Sequence, residues 1–118
     1  MTQEERRRSQ RFTVVDLELY QVEPEEFLGR IVNLSENGML AFCDEALEPQ
    51  TQTMFRIPFQ QTVAGKVHFD FEGKVVWAKM NATGPSKYSI GLEFVQYPDL
   101  QIQFIHHMIK LYGEQAKQ

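Results

Sequence analysis

From Phe12 onward the chain alternates short apolar runs with turn-forming residues, at a spacing typical of β-strands. The clearest pattern runs from Val63 to Phe71, where Val67, Phe69 and Phe71 alternate with polar or charged side chains. A two-residue period places every second side chain on the same face of a strand. This segment is therefore predicted to be a strand with one face toward a core.

The same reasoning predicts further strands and marks their ends. Asn37-Gly38 predicts a hairpin, because both residues tolerate positive φ. Gly73 predicts a bend or bulge, and Pro58 places the end of its strand at a sheet edge. The predicted strands cover residues 12–20, 27–34, 39–43, 53–59, 63–71, 74–78 and 88–95, with a loop over 46–52 and a turn over 81–86.

After Pro98 the period changes from two residues to three or four. Leu100, Phe104 and Met108 recur at helical spacing, which predicts an amphipathic helix of about 14 residues with Asp99 as its N-cap. Strands followed by one helix predict an all-β fold with a terminal helix, a small antiparallel barrel against which the helix packs. The expected organisation is a flexible arginine-bearing segment over 1–10, the barrel and helix over 11–113, and a tail over 114–118.

The composition indicates one soluble domain. The 118 residues are 42% hydrophobic and 24% charged, and no apolar run approaches the roughly 18 residues of a membrane span. No secretory signal is visible. The single Cys43 excludes an internal disulfide, is expected in the core and fits a reducing compartment, so we expect a cytoplasmic protein without membrane insertion.

The net charge of −4 conceals an uneven distribution. Four of the twelve basic residues lie within Arg6–Arg11, which leaves eight Lys and Arg against sixteen Asp and Glu elsewhere. Nucleic-acid-binding proteins usually spread positive charge over a face, whereas a small anionic ligand needs only a local cluster. The distribution therefore favours a small anionic ligand over a nucleic acid.

Two short motifs carry the candidate chemistry. Arg7 and Arg11 form R-x-x-x-R, and 22 residues after Arg11 the sequence Asn33-Leu34-Ser35-Glu36-Asn37-Gly38 forms [D/N]-x-S-x-x-G. Their order and spacing resemble the PilZ family, the receptor domain for the bacterial second messenger cyclic di-GMP. The stretches 73–77 and 90–94 strengthen the resemblance, which runs from Arg6 to about Tyr112. It implies a six-stranded antiparallel β-barrel with a C-terminal helix.

The resemblance also implies a ligand-binding site. Arg7 and Arg11 would contact guanine and phosphate, since the arginine fork pairs with guanine O6 and N7 and its plane stacks on the base. Family members with a basic residue where this chain has Arg6, just before the motif, often hold two intercalated ligand molecules, so the resemblance implies one or two molecules of cyclic di-GMP per protomer. The second motif contributes the remaining candidates, namely Asn33, Ser35 and Gly38. Ser35 would donate a hydrogen bond to the ligand, and Gly38 would let the ligand approach the backbone.

Many relatives have Asp where this chain has Asn33. A carboxylate accepts from guanine N1–H and N2–H together, while a carboxamide offers one oxygen. We therefore expect Asn33→Asp to tighten binding, by up to about 1 kcal/mol.

The expected action is that of a receptor, not of an enzyme: ligand would pin the N-terminal segment to the barrel and present a new surface to a downstream protein partner. The resemblance implies outputs such as motility and biofilm formation. One alternative is a PilZ-like protein-interaction module that does not use the ligand. Another is a small nucleic-acid-binding barrel, which the acidic body disfavours.

Other candidate chemistry is weak. His106 and His107 are adjacent on the predicted helix and point about 100° apart, so they cannot share a metal ion. His68 is isolated on its strand, and no nucleophile motif or phosphate-binding glycine loop is present. Trp77 is expected in the core or at the barrel rim, with a minor alternative beside the ligand. We therefore expect no catalytic residue, no metal and no cofactor.

Overall fold

The fold is a β-barrel with a C-terminal helix packed against it. The computed structural model describes residues 10–63, 65–95 and 99–113. The elements are β1 (Phe12–Thr13), β2 (Glu18–Gln21), β3 (Glu26–Leu34), β4 (Gly38–Cys43), β5 (Gln52–Val63), β6 (Lys66–Met80), β7 (Tyr88–Phe94) and α1 (Asp99–Tyr112).

Six strands close on themselves through antiparallel pairs. The order around the barrel is β3, β2, β5, β6, β7 and β4, and the pairing of β3 with β4 completes the ring. The short strand β1 adds to β3 beside β2. The predicted all-β barrel with a C-terminal helix is therefore confirmed, as is the hairpin at the end of β3.

The core lies inside the barrel and under α1. Leu19, Ile57 and Val75 are fully buried inside the barrel, while α1 contributes the buried Ile105 and Met108. The helical spacing of apolar residues thus turns one face of α1 toward the strands. Cys43 is also buried, as predicted, and its burial raises the pKa of its thiol to about 11.

The predicted strand over 12–20 is wrong in one respect, because it is two strands. Asp16 has a positive φ of 64°, which an aspartate tolerates better than most residues but which no strand accommodates. The chain still follows β3 through this break, since Val14 N–H donates to Val32 O and Leu17 O accepts from Ile31 N–H. β1 and β2 therefore lie end to end along β3.

Two predicted strand ends are also wrong. Residues 66–80 form one strand, and the irregular register lies between Val75 and Trp77 rather than at Gly73. Gly73 instead leaves room for the ring of Phe55, which a Cβ would approach to 2.9 Å. Strand β5 continues beyond Pro58, which lies past the residues that pair with β2 and so leaves no ladder hydrogen bond missing there.

Candidate functional site

A hydrogen bond joins the two sequence motifs. Thr13 of β1 pairs with Asn33 of β3, which brings the chain just before β1 alongside the end of β3. Arg11 lies there with an exposed side chain, and its Nη1 donates to Asn33 Oδ1 over 2.9 Å. The antiparallel pairing thus brings together two residues that are 22 positions apart. Arg6 and Arg7 lie outside the described residues.

Ser35 is buried within the motif turn. Only 2% of its surface is exposed. Its Oγ accepts hydrogen bonds from the N–H groups of Asn37 and Gly38, at 3.3 and 3.2 Å, and donates to Gly38 O at 3.3 Å. This arrangement is a side-chain-stabilised turn of the kind that serine favours. The hydroxyl thereby fixes the turn that holds Asn33 at the end of its strand.

Gly38 is required by the neighbouring strand. It pairs with Glu93 of β7. A Cβ at this position would lie 3.0 Å from the Cα of Glu93 and closer still to the carbonyl oxygen of Leu92. Neither Asn37 nor Gly38 has a positive φ. The hairpin prediction was thus right for a wrong reason: the glycine admits the backbone of β7, not a left-handed turn.

Strand pairing connects Asn33 to a row of residues that runs across the outer surface of the barrel. Asn33 pairs with Leu40 of β4, Leu40 with Gly91 of β7, and Gly91 with Trp77 of β6. The indole lies against Gly91, where a Cβ would approach Trp77 Cδ1 to 2.8 Å. Three inter-strand steps of about 4.8 Å separate Asn33 from Trp77, a span of roughly 15 Å. We call these four residues the outer row.

Trp77 does not lie in the core or at the rim of the barrel, where it was expected. Its side chain is 43% exposed on the outer row, because Gly91 opposite it leaves space for a flat ring on the barrel surface. The sequence shows both Gly91 and Trp77, but only the strand register shows that they lie opposite each other.

The motif-bearing segments also contact α1. Glu36, inside the second motif, lies 2.5 Å from His106 of α1 through Oε1 and Nε2. Beyond β1, Val15 N–H donates to Tyr112 O over 2.9 Å, and Val14 forms a bridge with Gly113. The helix is therefore connected to both motif segments. His106 thus has a partner that sequence reasoning did not identify.

Most of the chain matches one protein family. The model of the PilZ domain matches residues 5–111. The chain belongs to the PilZ family. PilZ domains are binding modules, and the match covers both motifs, including the arginines that precede β1.

Solved structures agree with this membership at the level of the fold. The PilZ domain of YcgR from Escherichia coli with c-di-GMP aligns with a TM-score of 0.74, at 16% identity and 95% coverage of both chains. YcgR in complex with c-di-GMP aligns at 0.67, with 17% identity over 88% of this chain and 44% of YcgR. The Bacillus subtilis inhibitor of motility, MotI/DgrA, aligns at 0.63, with 18% identity over 90% of this chain and 50% of MotI.

This PilZ chain thus spans about half the length of those two larger proteins. No curated protein matches it significantly. Within the described residues, no helix has the length and apolar content to cross a bilayer. The same residues contain no group of three or more His, Cys, Asp or Glu side chains placed to hold a metal ion.

Proposed function

We propose that this chain is a cyclic di-GMP receptor whose ligand bridges the N-terminal arginines and the motif turn. The observation that carries the proposal is the hydrogen bond between Arg11 and Asn33, which unites the two motifs at one place on the surface. The proposed ligand-contacting residues are Arg6, Arg7, Arg11 and Asn33, while Ser35 and Gly38 are proposed to hold the turn that presents Asn33.

The electrostatics at Arg11 suit an anionic ligand. Among the described residues, no carboxylate pairs with its exposed guanidinium, whose one hydrogen bond there is to a neutral carboxamide. A guanidinium in this state is available for phosphate, for guanine O6 and N7, or for stacking. Asn33 offers an amide donor that remains free when its oxygen accepts from Arg11.

The outer row offers an apolar surface beside these polar groups. Trp77 presents its half-exposed indole there, and Leu40 is half-buried between Asn33 and Gly91. Base stacking on an aromatic side chain contributes about 1–3 kcal/mol per base. We therefore assign Trp77 as an additional candidate contact for one guanine of the ligand.

Ser35 and Gly38 contribute to the proposed site through the turn. Because the Ser35 hydroxyl is buried and bonded to Gly38, it is poorly placed to reach a phosphate without opening the turn. Its role is to fix the backbone that presents Asn33. Gly38 has the corresponding role of joining the turn to β7.

The proposed signal is a conformational change around α1. Ligand that holds Arg6 and Arg7 beside Arg11 and Asn33 would act on β1, and β1 continues into the residues bonded to Tyr112. Such a change would alter the surface seen by a protein partner. Limited trypsin digestion tests it, because cyclic di-GMP should slow cleavage after the arginines; unchanged cleavage by a saturated protein would contradict this mechanism.

The location of the site is tested by NMR titration of labelled protein with cyclic di-GMP. We expect the largest amide shift changes at Arg11, Asn33 and Gly91, with little change at the β5–β6 hairpin around Gly65. Unlinked GMP serves as the control, because it lacks the second phosphate and the second base. Shift changes confined to another part of the barrel would contradict the proposed site.

A further inference from the structure

A small groove lies at the end of the barrel away from the motif turn. It is lined by Phe27, Leu28 and Leu47 and by the carboxylates of Glu26, Asp44 and Glu45, together with Gln21. We call it the acidic groove. Phe27 and Asn33 lie six residues apart on β3, or roughly 20 Å at the rise of a strand. A molecule in the groove would therefore leave the proposed nucleotide site free.

The floor of the groove is apolar and accessible. Phe27 is 47% exposed although it is a large aromatic residue, and its ring packs edge-to-face on Tyr20 at 5.3 Å. Leu47 is half-buried at the side of the core. Aromatic residues held in place by a neighbour are typical energetic centres of protein interfaces, because little freedom is lost on binding.

The charge around the groove has one sign. Segments 21–29 and 43–51, which line it, contain six Asp or Glu residues and no Lys or Arg. Within the described part of the chain, no salt bridge reaches Glu26, Asp44 or Glu45. Register places Lys87 near Asp44, since Tyr88 pairs with Cys43, but no salt bridge joins them either.

The volume and the negative charge of the acidic groove indicate what kind of group binds there. The groove holds about 230 Å³, less than the roughly 300–1,000 Å³ of small-molecule sites, so it suits one inserted side chain. Unpaired carboxylates repel nucleic acids and anionic membranes and attract cationic groups. We propose that the acidic groove docks a basic protein segment, with one apolar side chain against Phe27 and Leu47 and flanking Lys or Arg side chains on the carboxylates.

A synthetic peptide tests this proposal. The probe is a fluorescein-labelled peptide with a central Leu-Leu pair and lysines on both sides; the control peptide replaces the lysines with glutamates. Fluorescence anisotropy should show saturable binding of the lysine peptide, weakened by salt, and none of the glutamate peptide. NMR shift changes should concentrate at Phe27, Leu28 and Leu47.

Variants distinguish peptide binding in the acidic groove from non-specific electrostatic attraction to an acidic protein. Phe27→Ala and the double change Asp44→Lys with Glu45→Lys should each weaken peptide binding roughly tenfold or more. The matched controls are Val67→Ala, another exposed apolar position, and Glu93→Lys, an acidic position on β7; both should bind like the wild type. Thermal melts establish that every variant is folded.

Three outcomes would overturn the proposal: no peptide binding at millimolar concentration, binding that both groove variants leave intact, or dimerisation through Phe27 in place of peptide binding. The proposal stands apart from nucleotide recognition. Arg11→Ala should abolish cyclic di-GMP binding and leave the peptide affinity of the ligand-free protein unchanged. The groove variants should weaken peptide binding and leave cyclic di-GMP binding unchanged. Failure of either claim is thus distinguishable from failure of the other.

Discussion

Substituting the glycine of the second motif distinguishes a structural role from a ligand-contact role. In Gly38→Ala, the new methyl group would lie 3.0 Å from the Cα of Glu93 and closer to the carbonyl oxygen of Leu92. Carbon and oxygen atoms normally remain at least about 3.3 Å apart even in weak C–H···O contacts. Strands β4 and β7 must therefore separate where they begin to pair.

The loss in the free energy of unfolding comes from the hydrogen bond and the packing that are disturbed when β4 and β7 separate. Phe94 N–H donates to Asn37 O over 2.8 Å beside the clash, and each such bond contributes about 0.5–1.5 kcal/mol net. Overpacking adds about 1–3 kcal/mol. We expect a total loss of roughly 2–4 kcal/mol in the free energy of unfolding, which for a domain of this size lowers Tm by about 10 °C or more.

Thermal and urea unfolding of purified variants measure this effect. Gly29→Ala is the matched control, because its Cβ would lie 2.9 Å from the Cα of Cys43 and closer to Phe42 O, with no link to the motifs. It should lose similar stability. Thr83→Ala, at an exposed position in the turn before β7, should melt like the wild type.

One result would show that Gly38 serves the ligand and not the packing of β4 against β7. If Gly38→Ala melts within about 2 °C of the wild type while its affinity for cyclic di-GMP collapses, the glycine serves the ligand and the steric argument fails. If its stability falls as expected, affinity must be compared at a temperature where the variant is folded.

Three further predictions concern single side chains. Ser35→Ala should lower the free energy of unfolding by about 1–3 kcal/mol, since the turn loses the oxygen that accepts from two amides; an unchanged urea midpoint would contradict this. Asn33→Asp should tighten cyclic di-GMP binding by up to about 1 kcal/mol in calorimetry, whereas weaker binding would mean that the new carboxylate holds Arg11 away from the ligand or that the amide donor is needed. The hydrogen bond from Arg56 holds the pKa of Asp70 below its ordinary 3.8, so this pair stabilises the fold above that pH and the effect is lost as the pH falls through the lowered pKa. The Tm difference between wild type and Asp70→Asn should thus shrink below about pH 4, and a constant difference would be inconsistent with it.

Much of the fold was accessible from sequence because its causes are local. Two-residue alternation indicated the strands, and the change to helical spacing after Pro98 indicated α1. The break at Asp16 was missed, since an aspartate with positive φ carries no distinct sequence signal. The continuity of β6 through Gly73 was missed because that glycine accommodates Phe55 rather than bending the strand.

The candidate site was only partly accessible for a different reason. The motifs singled out Arg11 and Asn33, and the structure joins these two residues by a hydrogen bond; their contact with the ligand stays a prediction. The outer row could not be found in this way, because Trp77 and Asn33 are aligned only through the register of two intervening strands. The contact between Glu36 and His106 likewise joins residues 70 positions apart. Such relations depend on tertiary pairing, which local patterns do not encode.

The most direct test of receptor function is calorimetric titration of cyclic di-GMP into the wild type, Arg7→Ala and Arg11→Ala. Arg56→Ala is the control, since that arginine pairs with Asp70 elsewhere on the barrel. We predict saturable binding by the wild type and the control, lost in both motif variants. Saturation at two molecules per protomer would support the role of Arg6, and saturation at one would exclude the second ligand. No binding by the wild type at millimolar cyclic di-GMP, or undiminished binding by both motif variants, would contradict the proposed receptor function.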